Sequence, residues 1–321
     1  MKTIMLTAAL ALVTAGSALA QGSYPTRPVT MVVGFAPGGG TDTVARIVAK
    51  NLSESLGQQV VVENKAGAGG NIATDFVAHA APDGHTILLG SVGSLAVAPH
   101  VIANLPYDPL RDFAPITMAV VFANVLLVQP TLPVQSLADF VRFAKDKPGS
   151  VTYGSAGILG AGHLAGELLE MRANIDMIHV PYKGGGPAMQ GMLGGQVMSF
   201  FATPVSAGGH IKAGKVRAIA TTGSKRAALL PEVPTVAESG YPGYEAMNWY
   251  AYLAPAKTPK EIIERLNREL VKALNNAEVV ALLEKQGLEP SPGSAAELGS
   301  YMQREYETWG KVVKQAGIKA Q

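Results

Sequence analysis

Residues Thr30 to Thr43, Thr-Met-Val-Val-Gly-Phe-Ala-Pro-Gly-Gly-Gly-Thr-Asp-Thr, constrain the fold more than any other stretch. An apolar, β-branched run ending at Val33 breaks at Gly34. Three glycines then lead into a segment whose apolar residues Val44, Ile47, Val48, Leu52 and Leu56 recur at helical spacing. The pattern predicts a strand, a glycine turn and a helix from about Asp42 to Leu56. Glycines let a ligand approach the main chain closely. The first N–H groups of a helix lack partners within it, and its dipole favours negative charge there. The stretch therefore reads as an anion cradle, with Phe35, Ala36, Gly38, Gly39, Thr41 and Asp42 as candidate ligand contacts. A plain turn with Thr41 or Asp42 as N-cap stands beside it, as does an i,i+4 pair between Asp42 and Arg46.

The signature recurs. Strand Val60 to Val62 precedes Glu-Asn-Lys-Ala-Gly-Ala-Gly-Gly-Asn and a helix from about Ile72 to Ala80. Strand Thr86 to Leu89 precedes Gly90-Ser91-Val92-Gly93-Ser94, read as a polar glycine turn. Alternating strands and helices with short loops imply a parallel sheet, whose ligands sit beyond the carboxyl ends of the strands. Phe113 to Val128 reads as an extended segment leaving a first domain near Phe122. A second cycle follows: helix Leu137 to Lys145, strand Val151 to Tyr153, a glycine turn, helix His163 to Met171, strand Met177 to Val180, Pro-Tyr-Lys-Gly-Gly-Gly-Pro, helix Ala188 to Leu193, and strands Met198 to Phe201 and Val216 to Thr221. Asn248 to Leu253 reads as a returning strand. Pro259 onward reads as helical, with no further strands, its helices packing back on the first domain. The expected fold is α/β and two-lobed, of the periplasmic binding protein type II: two doubly wound domains joined by hinge strands, with the C-terminal helices on the first. Domain 1 is expected at 21–122 and 246–321, domain 2 at 123–245, with hinge closure as the motion.

A composition of 48% hydrophobic and 16% charged residues belongs to an ordered globular chain. The formal charge of +2, with no dense Lys/Arg cluster, argues against a nucleic-acid partner. With 0 cysteines, disulfides, thiolate metal sites and cysteine nucleophiles are excluded. The 6 histidines are scattered without metal-ligand spacing. Catalytic signatures are incomplete: Gly67-Ala-Gly-Gly-Asn-Ile72 lacks the third glycine of a dinucleotide fingerprint, and Ser155 in Tyr-Gly-Ser-Ala-Gly is one residue short of a nucleophile elbow. No metal, cofactor or catalytic residue is assigned, and a secreted hydrolase is the least supported reading. Lys2, the apolar stretch Ile4 to Val13 and the A-x-A pattern of Ala18 and Ala20 predict a signal peptide over 1–20, cut after Ala20, and a periplasmic protein.

With Pro-Thr-Arg-Pro-Val-Thr, Gly-Phe-Ala-Pro-Gly-Gly-Gly-Thr-Asp-Thr-Val-Ala-Arg, Val-Val-Glu-Asn-Lys-Ala-Gly-Ala-Gly-Gly-Asn-Ile, Pro-Asp-Gly-His-Thr-Ile-Leu, Val-Pro-Tyr-Lys-Gly, Leu-Gly-Gly-Gln-Val and Leu-Pro-Glu-Val-Pro-Thr-Val-Ala-Glu-Ser-Gly, essentially the whole mature chain resembles the Bug receptors, the extracytoplasmic solute receptors of tripartite tricarboxylate transporters. Lys65-Ala66 is a modest departure from the family pattern. The resemblance implies a receptor that binds a small organic acid between two lobes and hands it to integral membrane permease subunits. It also implies that the loop Phe35 to Asp42 holds a carboxylate through main-chain groups and ordered water, opposite the loop Tyr153 to Gly160.

Ser91, Ser94 and Ser155 are candidate hydroxyl contacts. Tyr153 and one of the oppositely facing Phe200 and Phe201 are candidates for the wall. Gly157, His163, Lys183 and Thr203 complete the expected ligand set; for His163 a satisfied structural role, and for Lys183 a solvated one, stay open. A monomer is expected. A sensor feeding a membrane signalling partner would use the same cleft, and nothing in the sequence separates it from transport.

Overall fold

A computed structural model describes residues 24–317, so the expected signal peptide and its cut after Ala20 lie outside the described residues. The chain begins β1 (Val29–Val33), α1 (Gly40–Leu56), β2 (Val60–Asn64), α2 (Asn71–Ala78) and β3 (Thr86–Ser91), then a π-helical turn Gly93–Val97 and the short α3 (Ala98–Val101). After β4 (Phe113–Ala123) it crosses at Asn124 into β5 (Val125–Val128). Next come α4 (Leu137–Asp146), β6 (Val151–Ser155), α5 (Ala161–Ala173), β7 (Met177–Pro181), α6 (Gly185–Leu193), β8 (Ser199–Ala202), α7 (Pro204–Lys212) and β9 (Arg217–Thr221). It then returns through β10 (Met247–Pro255) to α8 (Lys260–Leu274), α9 (Ala277–Glu284), β11 (Glu289–Pro290) and α10 (Ala295–Ala316). Two sheets result, ordered β11-β4-β10-β3-β1-β2 and β7-β6-β8-β5-β9. In the first, β1 runs parallel to β2 and β3, and β10 antiparallel to β3 and β4; in the second, β6 runs parallel to β7 and β8.

Each sheet buries both faces. In β1, Val29, Met31 and Val33 enter one core with α1, α8 and α9, while Val32 enters another with α2 and α10. The same alternation makes β10 two-sided: Tyr250 and Tyr252 pack under α1 and α8, whereas Trp249, Ala251 and Leu253 pack under α10. The second sheet is covered by α4 and α5 on one face and by α6 and α7 on the other. This is the expected two-lobed α/β fold, with the C-terminal helices on the first sheet.

Three local expectations are corrected. Gly90 and Ser91 are the last residues of β3, not a turn, and the helical turn begins at Gly93. Helix α7 has no counterpart in the sequence reading because Gly208 and Gly209 lie inside it, and glycine disfavours helix interiors. Its start is nevertheless marked by an N-cap threonine, Thr203, followed by Pro204. The two-residue β11 adds an edge strand to the first sheet within the tail read as wholly helical.

The crossings between the sheets are fastened by Thr222, which is fully buried. Its hydroxyl accepts from the Asn124 N–H (2.9 Å) and donates to the Ala246 carbonyl (2.8 Å). Its backbone binds the same two residues. Thr222→Val keeps the shape but orphans the Asn124 N–H. A loss of about 1–3 kcal/mol in chemical unfolding is expected, and an unchanged midpoint would show that water fills the role.

Candidate functional site

Four helices begin at one cavity between the sheets. Its lining includes Gly39, Gly40 and Thr41 at the start of α1, Gly160, Ala161 and Gly162 at α5, Gly185 at α6, and Thr203 before α7. Ser91, Asn124, Asn248, Tyr250 and the rings of Phe35 and Phe201 complete most of the wall, and no charged side chain lines it. The N-caps of α1, α5 and α6 are Gly39, Gly160 and Gly184, none with a side-chain cap. Their first N–H groups are thus left unmatched by the chain's own capping. Only α7 is capped from its side chain, by Thr203 Oγ1 accepting from Ser206 N at 3.3 Å. The enclosed volume is about 30 Å³. A second space of about 150 Å³ opens outward between Gly67–Gly69 on one side and Gly157, Ile158, Tyr182 and Lys183 on the other, with Phe35 and Ala156 in both walls.

The two sides meet backbone to backbone. The Ala36 N–H donates to the Lys183 carbonyl at 2.9 Å. Gly184 has φ +153°, and a Cβ there would lie 3.0 Å from Ala36 N. A Cβ on Gly69, which has φ +64°, would overlap the Ile158 carbonyl oxygen. These glycines are required because the main chains approach more closely than a side chain permits.

The Asp42 carboxylate, expected as a cap or a ligand contact, does neither. The N-cap is Gly39, and the carboxylate accepts from the Gly38 N–H (3.0 Å), Arg46 Nε (3.0 Å) and Asn64 Nδ2 (3.0 Å). Burial alone would raise its pKa, but Arg46, the Gly38 N–H and Asn64 together hold it below the usual carboxylate range. It fastens the cradle loop from behind, and the Asp42–Arg46 pair forms as the helical spacing suggests.

A buried polar cluster lies beneath the loop between β6 and α5. Ser155 Oγ lies 3.0 Å from the Gly157 carbonyl and shares a hydrogen bond of 2.7 Å with His179 Nε2. His163 stacks on His179 at 3.9 Å between ring centroids. Its Nδ1 accepts from the Leu159 N–H (3.0 Å), which leaves Nε2 to face Glu167 Oε1 at 3.2 Å. Tyr153 donates to the same carboxylate at 2.9 Å. His163, with other hydrogen bonds to Glu167, holds that carboxyl below its ordinary range, whereas burial pushes Glu170 up to about 7.

Glu170 Oε1 accepts from the Met177 N–H at 2.6 Å. Because its folded pKa is raised, its contribution to stability is complete below its unfolded value near 4.3. That contribution is lost as pH rises through about 7. Glu170→Gln keeps the acceptor and removes the titration. The wild-type melting midpoint should therefore fall relative to Glu170→Gln between pH 5 and 7.5, and parallel curves would contradict this.

Of the expected ligand contacts, Phe35, Gly39, Thr41, Ser91 and Thr203 line the inner cavity, and Gly157 and Lys183 the outer space. Tyr153 is a correction: with Val151 it faces the core of the second sheet and is fully buried. Ser155 and His163 belong to the cluster just described, and neither lines the inner cavity or the outer space. Ser94 is turned toward the Ser91 carbonyl, Ala36 is engaged through its N–H with Lys183, and Gly38 serves Asp42. Phe201 reaches the inner wall while Phe200 packs on the opposite face, as strand alternation requires. Asn124, Asn248, Tyr250 and Gly185 were not singled out from the sequence. The Ala-Asn and Met-Asn contexts give the asparagines no motif, although a polar residue within an apolar strand was a signal for Asn248.

The chain matches the model of the tripartite tricarboxylate transporter family receptor over residues 44–318. It is 39% identical to Protein BugT of Bordetella pertussis over 298 residues, 92% of this chain and 91% of that protein. It superposes on R. palustris Rpa4515 with adipate at TM-score 0.89 and 37% identity, covering 92% of this chain and 99% of the other. It superposes on MatC (Rpa3494) from Rhodopseudomonas palustris with bound malate at TM-score 0.87 and 34% identity, covering 90% and 100%.

Proposed function

The chain belongs to the tripartite tricarboxylate transporter family of receptors, and from that membership we propose that it captures a small organic acid in the inner cavity and delivers it to the permease subunits of a membrane transporter. The family is one of solute receptors, not of enzymes. The observation that carries the ligand class is the convergence of four helix starts on a cavity without a charged side chain. Each helix end contributes about 0.3–1 kcal/mol, up to about 2 when partly buried. Micromolar binding requires about 8. The difference must come from direct N–H bonds, the hydroxyls of Thr41 and Ser91, bridging water and exclusion of solvent on closure. The relatives with adipate and malate support a carboxylate as the recognised group.

We take the lobes as 21–122 with 246–321, and 123–245, closing about the crossings at Asn124 and before β10. The receptor acts as a monomer in the periplasm after removal of residues 1–20. Among the described residues no helix is long and apolar enough to cross a membrane. A thermal-shift screen of the protein against mono-, di- and tricarboxylates, amino acids and neutral solutes tests the ligand class. A ligand at a hundredfold its Kd should add about 2.7 kcal/mol. Stabilisation by neutral or cationic solutes alone would overturn the anion site.

A further inference from the structure

Asn124 stands on one crossing between the sheets and Asn248 near the start of β10, just after the other, and both line the inner cavity. They are 1% and 6% exposed. Asn248 pairs with Phe122 across the β10–β4 ladder. Alternation from Phe122 then places Asn124 on the same face of the hinge as Asn248. Asn124 Nδ2 and Asn248 Oδ1 are buried without a hydrogen-bond partner among the described residues. Buried amide groups are normally satisfied, so each orphan points to a group that arrives with the solute.

We infer that the two hinge carboxamides are a recognition pair for a carboxylate that carries a hydroxyl on the adjacent carbon, so that the receptor selects 2-hydroxycarboxylates. The inference rests on the cavity being the solute site. A carboxamide carries both a donor and an acceptor, and here Asn124 leaves its NH2 unmatched and Asn248 its oxygen. A carboxylate only accepts: it satisfies the Asn124 NH2 and leaves the Asn248 oxygen buried and unmet. The solute must therefore bring a donor, either a hydroxyl or an ammonium. No acidic side chain lines the cavity, and the Asp42 carboxylate is turned to Gly38, Arg46 and Asn64. The positive ends of four helices face the same space, so a second positive charge is disfavoured. The hydroxyl fits.

The test is calorimetric titration with acids of one skeleton differing at C2 in hydrogen, hydroxyl or ammonium: propionate, lactate and alanine; succinate, malate and aspartate; glutarate, 2-hydroxyglutarate and glutamate. On the skeleton that binds, the hydroxy acid should bind roughly tenfold tighter than its parent, the scale of one buried hydrogen bond, and tighter than the amino acid. Asn248→Leu should bring the hydroxy-to-parent ratio close to one, and Asn248→Ala, which likewise offers the solute hydroxyl no acceptor, should do the same if leucine is not tolerated. Asn124→Leu should weaken hydroxy acid and parent alike. Equal affinities in the wild type, a preference for the ammonium, or a preference surviving in folded Asn248 variants would overturn the inference while leaving the acid site intact. Failure of every acid to bind the wild type would instead remove the acid site itself.

Discussion

Gly69→Ala is expected to weaken solute binding about a hundredfold while lowering the stability of the free protein by only about 1–2 kcal/mol. The two effects have separate origins. The left-handed backbone of Gly69, φ +64°, strains an alanine whether the lobes are apart or together. The overlap of the new Cβ with the Ile158 carbonyl oxygen belongs to the arrangement in which the loop after β2 meets the loop after β6, which in the hinge motion proposed above is the closed form. That oxygen is main chain and cannot swing aside as a flexible side chain would. If the overlap penalises the closed form by about 2.8 kcal/mol, the apparent affinity falls by the same hundredfold. Titration calorimetry and thermal unfolding on one preparation separate the terms. A variant with near-normal affinity would mean that the solute is held without this backbone contact.

Trp249→Ala is expected to give the largest loss of stability, about 3–5 kcal/mol, a substantial part of the roughly 5–15 that hold a folded protein together. The indole is fully buried beneath α10. It lies edge-on to Tyr301 at 5.6 Å and donates to Glu305 Oε2 at 2.8 Å, an oxygen that also accepts from the Trp309 indole at 3.2 Å. Truncation leaves a cavity and loosens the last helix from the first sheet. Trp249→Phe keeps most of the packing and loses the bond to the carboxylate, so its cost in urea unfolding should be clearly smaller. Equal costs for the two would show that the hydrogen bond, not the ring volume, dominates. Because Asn248 and Tyr250 flank Trp249 and face the cavity, solute affinity should fall with the alanine variant as well.

Much of this architecture is legible in the sequence because it rests on period. Val29, Met31 and Val33 announce a strand, and the spacing from Val44 to Leu56 announces the helix behind it, with the glycines between them marking the turn. The same rule would have placed Tyr153 correctly: it shares a face with Val151, and that face is core. What sequence could not show is which polar groups the fold leaves unmatched. Asp42, Ser155 and His163 look like ligand groups beside glycine loops, but Asn64 bonds the first, and His179 bonds the second and stacks on the third, each from another element. Asn124 and Asn248 show the reverse. No motif marks them, only a polar side chain within an apolar run at Asn248, and their importance follows from the meeting of two segments that are remote in the chain.

The most direct test is a crystal structure of the protein with the acid that stabilises it most. A carboxylate of that acid should lie about 3 Å from backbone N–H groups at the starts of α1 and of at least one of α5 and α6, with no lysine or arginine paired to it. An acid bound instead against Lys183 in the outer space, or away from the helix starts altogether, would contradict a site built from main-chain dipoles.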